Sequence, residues 1–222
     1  MADRITAAQF AALDLPDWRV VVDAAETAFH CGSFARAGAC VAEMADLCDR
    51  RHHHANVDLR YPDIVHVRTT THDVGGLSSR DVELAGEISA LAAAHGYRVE
   101  LQGCQSVDIA IDALDITAVR PFWRAVLGYG SEDVIDDDAA LVDGTGRGPT
   151  VWFQQMDAPR PQRNRIHLDV NVPAEVAEQR VADTIAAGGV LITDEYTPSF
   201  WVLGDPEGNE ACVCTWQSAR VG

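Results

Sequence analysis

The chain has 222 residues, 47% of them hydrophobic, and is long enough for two globular domains of about 100 residues each. Its formal net charge of −17 argues against nucleic acid and anionic membranes as partners, because phosphate binding requires a basic surface. No stretch approaches the roughly 20 apolar residues that span a bilayer, and the N-terminus lacks a basic region followed by an apolar one. We therefore expect a cytoplasmic protein that acts on small molecules.

The first half of the chain predicts helices packed on an antiparallel sheet. Thr6 is an N-cap candidate with Gln9 three residues on, a capping-box spacing. The predicted elements are a helix over 6–13, strands over 18–22 and 28–30, a helix over 34–48, strands over 57–61 and 64–69, a helix over 80–94 and a last strand over 97–101. This αββαββα order favours an α+β fold with the helices on one face of the sheet. A short linker follows, so we predict domains over 1–103 and 104–222.

Histidines are clustered where the second predicted helix ends. His52, His53 and His54 are consecutive there, and His72 follows two strands later, so the returning chain can bring it back beside them. Imidazoles suit proton transfer near neutral pH, although a histidine run is also typical of a solvated helix end or of adventitious metal binding. His30 and His66 lie inside strand patterns and are predicted to be structural.

The six cysteines show no paired Cys-x-x-Cys arrangement, so we expect free thiols, most of them buried. They are Cys31, Cys40, Cys48, Cys104, Cys212 and Cys214.

Three segments of the first half carry a family resemblance. The double histidine opens the segment His53–Tyr61, and the motif Thr-His-Asp-Val-Gly-Gly-Leu opens Thr71–Ala85. With Phe29–Ala37 upstream, they resemble the pterin-4a-carbinolamine dehydratase family over roughly residues 3–97. Ala55 stands where that family usually has proline, and Asp49 where it usually has glutamate. The strand before the second motif is one residue longer than the family pattern, which predicts a β-bulge.

The resemblance implies an enzyme that removes water from a pterin 4a-carbinolamine without a cofactor. It implies catalytic roles for His53, His54 and His72, with Asp49 orienting one imidazole. It also implies that Asp73 lies in the substrate-binding site. Which histidine is the acid and which the base stays open.

The second half repeats a pattern. The first copy predicts a strand over 107–111, a helix over 116–127, and strands around 140–142 and 151–154. The second predicts a strand over 165–170, a helix over 174–187, and strands over 190–192, 200–203 and 211–214. Two βαβββ units of roughly 55 residues form such an internal repeat.

This repeat resembles the glyoxalase/bleomycin-resistance, or vicinal-oxygen-chelate, superfamily over about residues 105–217. The matching pieces are Phe122–Tyr129, Asn164–Asp169 and Asp205–Glu210. They mark turns and packing and do not define a reaction.

The resemblance also implies where a metal would be held in this half. The implied ligand positions fall on Asp108, His167 and Cys212, with Gln154 as a weak fourth candidate. An aspartate, a histidine and a cysteine together favour zinc over other metal ions. Because no good fourth ligand is evident, we expect no tightly bound metal in this half of the chain.

We expect aromatic rings to bind an unidentified small organic ligand in this half, as small-molecule pockets usually do. The candidates are Trp152, Phe153 and Trp201.

Two hypotheses follow. In the first, the protein is a pterin 4a-carbinolamine dehydratase with an appended glyoxalase-like domain. In the second, the glyoxalase-like half carries the main function, either metal-dependent or ligand-binding, and the first half is a dimerisation scaffold. In both we expect a homo-oligomer.

Overall fold

The structure is a computed structural model that describes residues 3–101, 103–129, 140–159, 167–172, 174–215 and 217. Among these residues no helix combines the length and the apolar character needed to cross a lipid bilayer.

The chain forms two compact units, an N-terminal unit over 1–106 and a C-terminal unit over 107–222. The boundary lies slightly C-terminal to the one predicted between Gly103 and Cys104, so Cys104 belongs to the first unit. Each unit has its own hydrophobic core and mixes helices with strands, which confirms the predicted α+β class.

The N-terminal unit has an antiparallel sheet covered by three helices. Its elements are α1 (Ala7–Ala11), β1 (Arg19–Val21), β2 (Ala24–His30), α2 (Phe34–Arg51), β3 (Asn56–Arg60), β4 (Ile64–Thr69), a 3₁₀ turn (His72–Val74), α3 (Ser79–Ala94) and β5 (Arg98–Val99). The strand order is β1-β2-β4-β3, and β5 pairs with the end of β2 that β1 leaves free.

One face of this sheet packs against the helices. Phe29 and Val65 point from β2 and β4 into a core that includes Met44 of α2 and Leu84 of α3. The intervening strand residues point to the opposite face, because side chains alternate along a strand. The helices therefore lie on one face, as predicted.

Two details of this unit differ from the predictions. Strand β2 begins at Ala24, four residues before the predicted start at Ala28. The prediction placed the start too late because the acidic residue Glu26 interrupts the apolar pattern of the strand. The predicted bulge is wrong, since β4 pairs in continuous register with both β2 and β3.

The C-terminal unit has two sheets covered by helices. Its elements are β6 (Asp108–Ala113), α4 (Ile116–Leu127), β7 (Thr150–Gln155), β8 (Leu168–Asn171), α5 (Ala174–Ala186), β9 (Val190–Thr193), β10 (Phe200–Gly204) and β11 (Glu210–Cys214). One sheet has the order β8-β11-β10-β9, and β6 pairs with β7 in the other.

The second βαβββ unit is complete from β8 to β11 except at residue 173, whereas residues 130–139 of the first lie outside the described residues. The strand predicted around 140–142 is a single bridge between Leu141 and Val151. Residues 165 and 166 of the strand predicted over 165–170 also lie outside the described part. In both βαβββ units the first strand pairs in parallel with the last, β6 with β7 and β8 with β11.

The Asp-Pro-Glu-Gly-Asn motif forms the turn between β10 and β11. Asp205 is almost fully buried and accepts hydrogen bonds from the Trp123 indole at 3.0 Å and from the backbone N–H groups of Glu207 and Asn209. Glu207 in turn accepts hydrogen bonds from the backbone where α4 begins. The motif therefore holds the turn against a helix and fulfils a packing role.

We predict that residues 1–106 and 107–222, produced as separate chains, each fold cooperatively, because the two core clusters share no residue. Circular dichroism and urea denaturation of each half measure this. The outcome that contradicts the division is an intact chain that folds while neither half does, since the two units would then depend on a shared core.

Candidate active site

Two adjacent histidines at the end of α2, His53 and His54, differ in their burial. His52 ends the helix in the left-handed conformation, with φ of 49°, which turns the chain sharply. His53 then points into the protein and is 7% exposed, whereas His54 is 67% exposed and contacts Asp49 at 2.9 Å. The aspartate thus does contact an imidazole, that of His54.

A fully buried carboxylate, that of Asp81, holds His53 in place. Its Oδ1 lies 2.8 Å from His53 Nε2 and accepts a hydrogen bond of 2.7 Å from the Thr69 hydroxyl. Its Oδ2 accepts hydrogen bonds from the Thr71 hydroxyl at 2.6 Å and the Ser78 backbone N–H at 2.8 Å. Both carboxylate oxygens are therefore satisfied without water.

These hydrogen bonds decide the charge of Asp81. Burial by itself raises the pKa of a carboxyl group, but the hydrogen bonds from Thr71, Thr69, His53 and Ser78 outweigh it, and the pKa of Asp81 is lowered. Asp81 is therefore a buried anion at neutral pH.

The buried anion fixes which ring nitrogen of His53 carries a proton. Nε2 faces the ionised carboxylate of Asp81 and must donate to it. Among the described residues, no group forms a hydrogen bond with His53 Nδ1. This nitrogen is also not one of the fully buried polar atoms that have no hydrogen-bond partner. Nδ1 therefore lies on the small exposed part of the ring, where it can exchange a proton with a bound molecule.

The loop that carries His72 is tied to the same carboxylate. Thr71, which precedes it, bonds to Asp81, and Thr71 also pairs with Gly76 through two backbone hydrogen bonds that close the loop. His72 is exposed in the 3₁₀ turn. The loop and His53 are thus anchored to opposite oxygens of one side chain.

Asp73, the predicted substrate-binding residue, is exposed in this loop and accepts hydrogen bonds from Arg80 at 2.6 and 2.7 Å. The Arg80 hydrogen bond is the main cause of the lowered pKa of Asp73.

Sequence reasoning missed Asp81, although a signal was present. Ser78-Ser79-Arg80-Asp81 has the capping-box spacing, and in the structure Ser78 caps α3 while Asp81 bonds back to the Ser78 backbone. Asp81 therefore takes part in the cap of α3 and also orients His53.

In the C-terminal unit the structure brings His167 and Cys212 together with Asp169. One ligand atom of each lies within 4.8 Å of the others, and His167 Nε2 is 3.3 Å from Asp169 Oδ1. Asp169 and Cys212 are direct register partners on β8 and β11. Asp108 belongs to no such cluster among the described residues, so the structure does not bring it together with these donors.

The three donors fit a zinc ion in type, since imidazole, carboxylate and thiolate are all zinc ligands. Burial raises the pKa of the Cys212 thiol to about 12, and the Asp169 carboxylate acts in the same direction. The thiol is therefore neutral unless a cation is bound beside it. A fourth donor for such an ion would come from water or substrate.

The three aromatic residues predicted to bind a ligand separate onto two faces. Phe153 and Trp201 are partly buried and pack against the core cluster. Trp152 does not belong to that cluster and is 41% exposed. Of the three rings, Trp152 is thus the most accessible to a ligand.

Taken together, the N-terminal unit is an antiparallel α+β module with a histidine–carboxylate site, and it matches the family model for pterin 4 alpha carbinolamine dehydratase over residues 3–91. A Nocardia farcinica protein provisionally named pterin-4-alpha-carbinolamine dehydratase is 37% identical over 79 residues, which cover 36% of this chain and 82% of that protein. The chain belongs to the pterin-4a-carbinolamine dehydratase family. Residues 108–214 match the model of a glyoxalase-like domain, so the chain fuses the two.

Two solved structures are similar to one unit each. A transcriptional coactivator/pterin dehydratase from Brucella melitensis is 25% identical, with a TM-score of 0.37, over 40% of this chain and 99% of that one. A glyoxalase/bleomycin resistance protein/dioxygenase family enzyme from Burkholderia phytofirmans is 24% identical, with a TM-score of 0.41, over 50% of this chain and all of that one.

We predict that Asp81→Asn lowers the free energy of unfolding by about 1–3 kcal/mol at pH 7, because it weakens a buried hydrogen-bond network. The folded-state pKa of Asp81 lies below its unfolded value, so its ionised form stabilises the protein above about pH 4 and this contribution is lost as the pH falls through the folded pKa. Urea denaturation at pH 7 and pH 3 should show the difference shrinking at the lower pH.

The matched control is Glu83→Gln, which neutralises an exposed carboxylate nearby that pairs with Arg51. It should change the free energy of unfolding by less than about 1 kcal/mol. An equal deficit of Asp81→Asn at both pH values would show that folding does not lower the pKa of Asp81.

Proposed function

We propose that the N-terminal unit is a hydro-lyase that removes water from a pterin 4a-carbinolamine. Family membership supports the substrate class, and the observation that carries the chemistry is His53, held by a buried anion with its Nδ1 at the surface.

The reaction needs one acid and one base. The bond between C4a and the hydroxyl oxygen breaks, and that oxygen leaves as water with a proton from the acid. The adjacent ring nitrogen loses its proton to the base, and a double bond forms between that nitrogen and C4a. No electron is gained or lost, so two imidazoles in different protonation states suffice.

His53, His54 and His72 supply these imidazoles in the proposal. Asp81 is a positioning residue, because it acts on the substrate only through His53, whose Nδ1 exchanges the proton. Asp49 plays the corresponding part for His54 at the surface, and its 2.9 Å contact supports this although both side chains are largely exposed.

A metal-dependent function of the C-terminal unit is the second candidate. The observation that favours it is the set of donors His167, Asp169 and Cys212 within 4.8 Å. A bound zinc ion would supply a positive charge for polarising a substrate oxygen. In this candidate the N-terminal unit is a dimerisation scaffold, whereas in the first the C-terminal unit binds an unidentified small molecule. A homo-oligomer and a cytoplasmic location are part of the proposal in both cases.

We predict that His54→Ala and His72→Ala each slow pterin dehydration by about 100-fold or more, the usual contribution of a positioned acid or base. Both side chains are exposed, so the fold should be retained. His53→Gln should slow dehydration similarly and also lower stability, because it disturbs Asp81. Stopped-flow absorbance of the carbinolamine gives the rate, and circular dichroism reports the fold.

The control for these variants is His95→Ala, which removes a half-exposed imidazole paired with Glu43 on a different part of the same unit. It should leave the rate within about twofold. Full activity in both His54→Ala and His72→Ala would end the catalytic assignment of these two residues.

We predict that the full chain, stripped with a chelator and dialysed, keeps its pterin dehydratase activity, because the proposed proton transfers need no metal. The double variant His167→Ala/Cys212→Ser should keep it as well. Elemental analysis beside the dehydration assay measures both quantities. Loss of dehydration on chelation, restored by zinc only when His167 and Cys212 are present, would favour the second candidate.

A further inference from the structure

The sheet of the N-terminal unit has a second polar cluster, on the face turned away from the helices. Glu26 on β2 and His66 on β4 are diagonal neighbours, since Glu26 pairs with Arg68 and His66 with Ala28. Cys104, from the segment after β5, completes the cluster. One ligand atom of each residue lies within 4.8 Å of the others.

Glu26 gives a second, independent observation that points to a cation ligand. The residue is only 4% exposed, and its Oε2 is buried without a hydrogen-bond partner among the described residues. The His66 Nε2 atom lies 3.4 Å away, at ion-pair distance but outside hydrogen-bond geometry. Burying a carboxylate oxygen without a donor costs free energy, so a cation at this point would remove the penalty.

We propose that Glu26, His66 and Cys104 bind a zinc ion on this face of the sheet, through Oε2, an imidazole nitrogen and Sγ. All three ligands belong to the N-terminal unit, and none of them takes part in the histidine–carboxylate site.

The donor chemistry selects zinc over harder ions. Magnesium and calcium prefer oxygen ligands alone, whereas a thiolate, an imidazole and a carboxylate together suit zinc. Bond lengths of about 2.0–2.3 Å in a tetrahedral site place ligand atoms roughly 3.3–3.8 Å apart. The Glu26 and His66 atoms already lie at such a distance, 3.4 Å, and all three ligand atoms lie within 4.8 Å of one another, so only a small closure is needed when the ion enters. A fourth position remains for water or a small ligand.

The electrostatics are consistent with a buried divalent ion. One carboxylate and one thiolate neutralise the two positive charges, and a neutral assembly is tolerated in a poorly solvated place. Arg68 Nε lies 3.5 Å from the other carboxylate oxygen of Glu26, which orients the group and leaves Oε2 for the metal.

Zinc at this site would tie the segment before the unit boundary to the sheet. Cys104 lies two residues before the end of the N-terminal unit and outside any strand. The ion would therefore hold the end of this unit to β2 and β4, and zinc should raise the melting temperature of the protein.

The test uses the full chain carrying His167→Ala and Cys212→Ala, which removes the donors of the C-terminal unit. Zinc is titrated into the chelator-stripped protein in competition with a chromophoric chelator. We expect one zinc ion per chain with a dissociation constant below about 1 µM. Cobalt in place of zinc should give a thiolate-to-cobalt charge-transfer absorption.

In this background Cys104→Ser and His66→Gln should each weaken zinc binding by about 100-fold or more, and Cys104→Ser should abolish the cobalt charge-transfer band. Glu26→Gln keeps the shape of the side chain and removes the unpartnered buried charge. It should fold at least as well without metal, yet lose the increase in melting temperature that zinc causes. That variant keeps the test decisive if either other variant fails to fold.

The controls are His95→Gln and Cys214→Ser, which remove an imidazole and a thiol outside the cluster and should leave zinc affinity unchanged. The proposal is overturned if the His167→Ala/Cys212→Ala chain binds no zinc ion with a dissociation constant below about 1 µM. It is equally overturned if Cys104→Ser retains both the affinity and the cobalt band.

Discussion

The buried carboxylate of Asp81 is the interaction on which the N-terminal site depends. An ionised group inside a protein is tolerated only when hydrogen bonds replace its water, and here Thr69, Thr71, Ser78 and His53 provide them. The strand β4, the loop after it, the first turn of α3 and the end of α2 meet at this one group. The position of the His53 imidazole is thus set by several elements that are separate in the sequence.

The two units use their most recognisable motifs in different ways. In the N-terminal unit the double histidine and the Thr-His-Asp-Val-Gly-Gly-Leu motif lie at the site itself. In the C-terminal unit the Asp-Pro-Glu-Gly-Asn motif closes a turn through Asp205, while the donors His167, Asp169 and Cys212 lie on other strands. A strong family motif therefore marks the candidate site in one half of this chain and a packed turn in the other.

The predictable part of the structure is the part encoded by local pattern. Helix periodicity, strand alternation and the histidine spacing predicted the α+β class and placed His53 at the end of α2. The identity of its partner was not predictable in this way, because Asp81 faces His53 only after α3 packs on the sheet. Asp169 was missed for a similar reason, since the register of β8 against β11 decides that it, and not Asp108, meets Cys212.

The loop between Thr71 and Gly76 is closed by reciprocal backbone hydrogen bonds at its two ends. Closure by the backbone fixes the number of residues that fit, and the positive φ of Gly75 favours glycine at that position. The exposed side chains of His72 and Asp73 take no part in the closure, so substitutions of these two residues would leave it intact. An insertion or deletion there would break the closure and move His72 relative to His53.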